Sequence, residues 1–219
     1  MGAPGVLVSA TTKYHQSGET TVSEEPTQKP SPLPSDSPAA LLETLCVAEE
    51  GADAAVASAV NNTLLLLPRW VRQAFGLSGW SMKVVPYDIA SADYADRFEA
   101  GNVLGSTAYK DRVIKIQNDM RAAANYPIHE MGHWLDNYMG HPTLNDSNFA
   151  AIYELEQQAY KDTFGPTCSW GVSEFFAEGF WCYWKSPRAL SRACPEFYAY
   201  LENLLSDAEV KLELLLLGG

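Results

Sequence analysis

Residues 129–133 read His129-Glu130-Met131-Gly132-His133, a pattern that ties backbone conformation to chemistry. One helical turn separates the two histidines, so on a helix both imidazoles project from one face and can hold a single ion. Glu130 then lies beside such an ion, placed to take a proton from a water that the metal activates. At about 100° per residue, His129, His133 and Asp136 share an arc, with Glu130 and Asn137 at its edge. Ile128, Met131, Trp134, Leu135 and Tyr138 fall on the opposite arc. The spacing predicts an amphipathic helix over 127–139, opened by Pro127 and closed by Gly140, with a core face behind a polar one.

The chain around this helix divides in two. From Thr11 to Pro38 it is rich in Ser, Thr, Glu and Pro, with Pro26, Pro30, Pro32, Pro34 and Pro38 crowded together. Such a segment buries too little surface to offset its ordering entropy. Residues 1–38 are therefore expected to be a disordered linker or stalk, and 39–219 a single domain. Ser37-Pro38 reads as a cap and first-turn proline for a helix over 39–49. Further helices are expected over 52–66 and from Pro68 to Gly76. Then the period changes. Residues 81–87 and 113–117 read as strands, and 104–109 as a hairpin arm turning through Lys110-Asp111-Arg112 into the second of them. After Asn118 the pattern is helical over 127–139, 148–163, 173–185 and 195–209, punctuated by Gly140, Gly165 and Pro195. Helices, a small sheet and helices again predict an α+β domain.

Two histidines leave a catalytic zinc site one protein ligand short. Residues 173–180 read SEFFAEGF, which sets Glu174 and Glu178 one turn apart on one face. Phe175, Phe176, Phe180 and Trp181 imply a mostly buried helix, where unpaired carboxylates are costly. Glu174 is read as the third ligand. Glu178 is placed to accept a hydrogen bond from a ligand histidine and fix its tautomer. The reverse order stays open. Asp136, on the histidine arc, is read as a second supporting carboxylate.

Composition narrows the partners. Fifteen Lys and Arg stand against 27 Asp and Glu, a net charge of −12, so nucleic acid and anionic membranes are disfavoured. Apolar runs such as 64–67 and 214–217 fall far short of the ~18–20 residues of a spanning helix. The start of the chain lacks a basic stretch followed by an apolar core, so no intact signal peptide is visible. With the stalk, this gives a secreted or cell-surface location as the expectation, its signal already removed, and a cytoplasmic one as the alternative. Cys46, Cys168, Cys182 and Cys194 form no CxxC pair. They fit up to two disulfides outside the cell, or buried thiols inside it.

HEMGHWLD at 129–136, followed some forty residues on by SEFFAEGF, resembles the catalytic domain of anthrax lethal factor and the secreted Pro-Pro endopeptidases of clostridia. The likeness runs loosely from 64 to 184, through LPRWV and the strand after Gly79-Trp80. It implies a mainly helical zincin-like α+β fold with a small sheet and hairpin above the active-site helix. It also implies one zinc per chain on His129, His133 and Glu174, a ligand set of the gluzincin type. Glu130 matches the general base, and the implied activity is hydrolysis of peptide bonds in a protein substrate. One feature departs from the pattern. These enzymes carry an oxyanion-stabilising tyrosine shortly before the third ligand, whereas here 169–173 holds Trp170 and no tyrosine, and Thr167 stands two turns upstream. Tyr160 is the nearest upstream tyrosine and His141 another conceivable donor. The gap favours a rival reading, an impaired or inactive domain that recognises a partner; the intact Glu130 opposes it.

Overall fold

Two strands rich in β-branched residues form the centre of the sheet. In the computed structural model, which describes residues 7–10 (as backbone), 44–96, 98–165 and 171–218, β3 (Ser81–Val85) and β5 (Val113–Gln117) run parallel, Ser81 opposite Val113. β4 (Val103–Ala108) folds back antiparallel on β5, with Arg112 in the left-handed region closing the turn. β2 (Cys46–Ala48) adds in parallel to β3, and β1 (Leu7–Ala10) adds antiparallel to β4 with a register shift between Val8 and Ala10. The strand order is β1-β4-β5-β3-β2.

Both edges depart from expectation. The 39–49 segment was expected to be helical, but 46–48 is strand, and 39–43 lies outside the described residues. The cause is Asn61 on α1 (Ala54–Leu64). Its side-chain oxygen accepts from the backbone N–H groups of Leu45 and Cys46, and its amide donates to the Cys46 carbonyl. Those backbone groups are thereby spent on an extended conformation, a side-chain alternative to the helix. Within the expected linker, Leu7–Ala10 is a strand, while 11–38 lies outside the described residues.

The helices follow the predicted pattern more closely. α1 falls within the range read from sequence, and α2 (Arg69–Leu77) runs one residue past it. The short α3 (Ile89–Asp93), capped by the Asp88 carboxylate, has too little periodicity to be seen in the sequence. α4 (Met120–Tyr138) starts well before Pro127, at an Asp119 cap that accepts from the Arg121 N–H at 2.6 Å. Pro127 thus sits inside the helix, where it has no N–H for the Ala123 carbonyl. The Thr63 hydroxyl of α1 donates to that carbonyl instead, at 2.9 Å.

Beyond α4 come α5 (Pro142–Asn145), α6 (Ser147–Phe164), α7 (Val172–Lys185), α8 (Pro187–Ala193) and α9 (Pro195–Leu217). α9 has no cap of its own. The buried Glu156 carboxylate of α6 accepts from the N–H groups of Glu196 and Phe197, satisfying donors of its first turn.

α4 packs against α1 and α7 and lies on β4 and β5, at the middle of the domain. Its core arc seats Trp134 edge-on against Phe75, the indole donating to the Ser78 hydroxyl. A second aromatic layer of Phe149, Phe175, Phe176 and Phe197 joins α6, α7 and α9, with Phe175 stacked on Phe197. The architecture is α+β and mainly helical. Among the described residues no helix is long and apolar enough to cross a membrane. Cys46, Cys182 and Cys194 are buried free thiols, and Cys168 lies outside the described residues.

Candidate active site

The polar arc of α4 is as buried as its core arc: every residue from Pro127 to Asp136 is inside. α7 covers one side and β4 another. α7 comes close because position 132 is glycine; a Cβ there would stand 2.8 Å from the Ala177 Cα. This contact brings Glu174 under the two histidines. His129 Nε2 stands 3.3 Å from Glu174 Oε2, and His133 Nε2 3.4 Å from Glu174 Oε1.

His129 Nε2, His133 Nε2 and Glu174 Oε1 are all buried and make no hydrogen bond. Leaving three polar atoms so is costly unless something else satisfies them. One ligand atom from each residue lies within 4.8 Å of the others, so the group could hold a metal ion. The separations also suit one. Four ligands at the ~2.0–2.1 Å of zinc–nitrogen bonds in a tetrahedron are about 3.4 Å apart. The residues fit the group that the sequence implies.

Supporting contacts lie behind this group. Glu178 Oε1 stands 3.3 Å from His129 Nδ1, the position expected for it. For His133 the partner is Ser173, whose hydroxyl lies 3.3 Å from Nδ1. Burial works against charge on His129, but the Glu174 and Glu178 carboxylates close beside it raise its pKa well above the ordinary value. Burial likewise opposes ionisation of Glu174, yet the charge of His133 and the closeness of both histidines bring its carboxyl down to about 2.

Glu130 is wholly buried, and burial raises its pKa, against the opposing influence of both histidines and Thr107. The Thr107 hydroxyl of β4 donates to Glu130 Oε2 at 2.7 Å, while Oε1 makes no hydrogen bond. A Cβ at Gly105 would stand 2.6 Å from that Oε1. The absence of a side chain at Gly105 is what lets the carboxylate lie so close to this strand. β1 occupies the outer side of β4, and the space at Gly105 belongs to Glu130.

Three residues singled out in the sequence have other partners. Asp136 accepts from the Thr143 N–H and pairs with His141 Nδ1 at 3.0 Å each, closing the left-handed turn after α4, so the support expected of it goes to that loop. His141 also meets the Asn137 amide at 2.9 Å. The Tyr160 hydroxyl lies 3.2 Å from Cys182 Sγ and 3.5 Å from Glu178 Oε2, behind the carboxylate that holds His129. Thr167 and Trp170 lie outside the described residues.

Tyr109, missed in the sequence, follows Thr107 on the same side of β4, its ring edge-on to His141 and Trp80. Its hydroxyl is buried, and burial, with the charges of Asp136, Glu130 and Glu174, pushes its pKa up against the opposing influence of the nearby Ser173 hydroxyl. Strand alternation from Gly105 through Thr107 was the available signal.

This is a mainly helical α+β domain of Pro-Pro-endopeptidase-like fold, carrying a buried His-His-Glu group at the junction of α4 and α7. One solved structure it is similar to is the Pro-Pro endopeptidase PPEP-2 from Paenibacillus alvei. The two share a TM-score of 0.57 and 20% sequence identity, over 75% of this chain and 99% of that one. No protein-family profile and no curated protein sequence match the chain.

Proposed function

We propose that the chain is a zinc-dependent endopeptidase, with His129, His133 and Glu174 as the metal ligands and Glu130 as general base. The observation that carries this reading is the meeting of three buried, unsatisfied ligand atoms next to a buried carboxylate with one oxygen free. When bound, zinc acidifies water and shares the negative charge that develops on the scissile carbonyl. Glu130 accepts the proton of the attacking water and returns it to the leaving nitrogen. Glu178 and Ser173 hold the far nitrogens of the two histidines, which keeps Nε2 of each facing inward. A donor for the oxyanion is better sought in Tyr109 than in Tyr160, because the Tyr109 hydroxyl sits among Ser173, Glu130 and Glu174, whereas that of Tyr160 lies against Cys182 and Glu178.

The substrate is a protein or peptide. The bond specificity named for PPEP-2 makes proline-containing peptides the first probes. A location outside the cell rests on the Pro-rich stretch before the domain.

The test is a pair of substitutions in the zinc-loaded chain. Glu130→Gln is expected to keep zinc and lose peptidase turnover. Glu174→Ala is expected to lose zinc. Unchanged turnover in the first removes Glu130 as base, and unchanged zinc in the second removes Glu174 as ligand. A zinc-loaded wild-type chain that cuts no peptide in a mixed library favours the partner-binding reading.

A further inference from the structure

β4 confines Glu130 from two positions on one face. Thr107 is itself fully buried, and its hydroxyl gives its short 2.7 Å hydrogen bond to Oε2; the Glu130 backbone carbonyl is farther, at 3.5 Å. Two residues earlier, the missing side chain of Gly105 leaves the volume that Oε1 fills, with Glu130 Cγ and Cδ only 3.1 Å from where a Cβ would be. Glycine inside a strand weakens it and marks a close approach, and the approaching group here is a carboxylate. Threonine, by contrast, suits a buried strand, and its stiff χ1 aims the hydroxyl in one direction.

We infer that Thr107 and Gly105 are positioning residues for Glu130: the hydroxyl fixes the rotation of the carboxylate, and the absent side chain sets how deep it lies. Tying Oε2 leaves Oε1 as the oxygen that receives the proton. This deepens the peptidase reading and rests on Glu130 as its base. A carboxylate free to rotate would spend only part of its time with a lone pair in line, and small misplacements of a reacting group are expensive in rate.

The experiment uses the full-length chain loaded with zinc and a cleavable peptide from the library. Thr107→Val keeps the shape and removes the hydroxyl. It is expected to lower kcat about 10–100-fold with KM and zinc content unchanged. Thr107→Ser, which restores the donor, is expected to recover most of the loss. Gly105→Ala, which displaces Oε1, is expected to act like Thr107→Val. Wild-type kcat in Thr107→Val, or no recovery in Thr107→Ser, overturns the inference while leaving the peptidase reading intact. A double-mutant cycle of Thr107→Val and Glu130→Ala, read by denaturant unfolding of the metal-free chain, needs no turnover. Coupling between the two is expected; additive effects overturn the clamp. Coupling in the metal-free chain, together with a zinc-loaded wild-type chain that cuts nothing, sinks the peptidase reading and leaves the clamp standing.

Discussion

At the scale of single residues, Tyr109 and Tyr160 carry opposite expectations. Tyr109→Phe is expected to lower kcat by about 10²–10³-fold with zinc retained, the range typical of a lost oxyanion donor. Tyr160→Phe loses a contact to Cys182 and Glu178 and is expected to stay within a few-fold of wild type. Equal effects in peptide turnover would return the donor assignment to open ground. The proposed ligand set also carries a pH dependence. Metal-free His129 has a raised pKa, whereas Glu174, at about 2, stays ionised throughout the neutral range. Binding zinc therefore displaces a proton from histidine, and affinity is expected to tighten as pH rises from about 6 to about 8, near tenfold per unit for one proton. Competition with a chelating dye measures this, and a flat profile contradicts it. His129, Glu130 and His133 were legible because their relation is local, one turn of one helix. Glu174 and Glu178 were legible because charges flanked by phenylalanines need a reason to be buried. Thr107 and Ser173 were not, since each meets its partner across 23 and 40 residues of chain.

At the scale of elements, the distance between α4 and α7 depends on Gly132. Gly132→Ala puts a methyl against the Ala177 backbone, which cannot rotate away. The helices are expected to part, with a loss of roughly 1–3 kcal/mol in denaturant unfolding and weaker zinc binding. Wild-type stability together with wild-type zinc affinity contradicts the close contact. The periods of 3.6 and 2 located most helices and the central strands. They failed where a distant side chain serves the backbone. Pro127 looked like a helix start because its missing N–H is harmless only in a first turn; the Thr63 hydroxyl makes it tolerable in the interior. Residues 46–48 looked helical until the Asn61 amide engaged their backbone.

At the scale of the whole molecule, the α+β class was legible from the order of the periodic segments. The burial of the polar face of α4 was not, because it follows from how α7 and β4 close over it. That closure turns a two-histidine helix into an enclosed site with three unsatisfied ligand atoms. The central claim is that these atoms share one cation. Crystals of the zinc-loaded chain, measured on both sides of the zinc absorption edge, test it most directly. The account predicts a single anomalous peak about 2.0–2.2 Å from His129 Nε2, His133 Nε2 and a Glu174 oxygen. A peak that omits any of the three, or no peak between α4 and α7 in a fully zinc-loaded crystal, contradicts it.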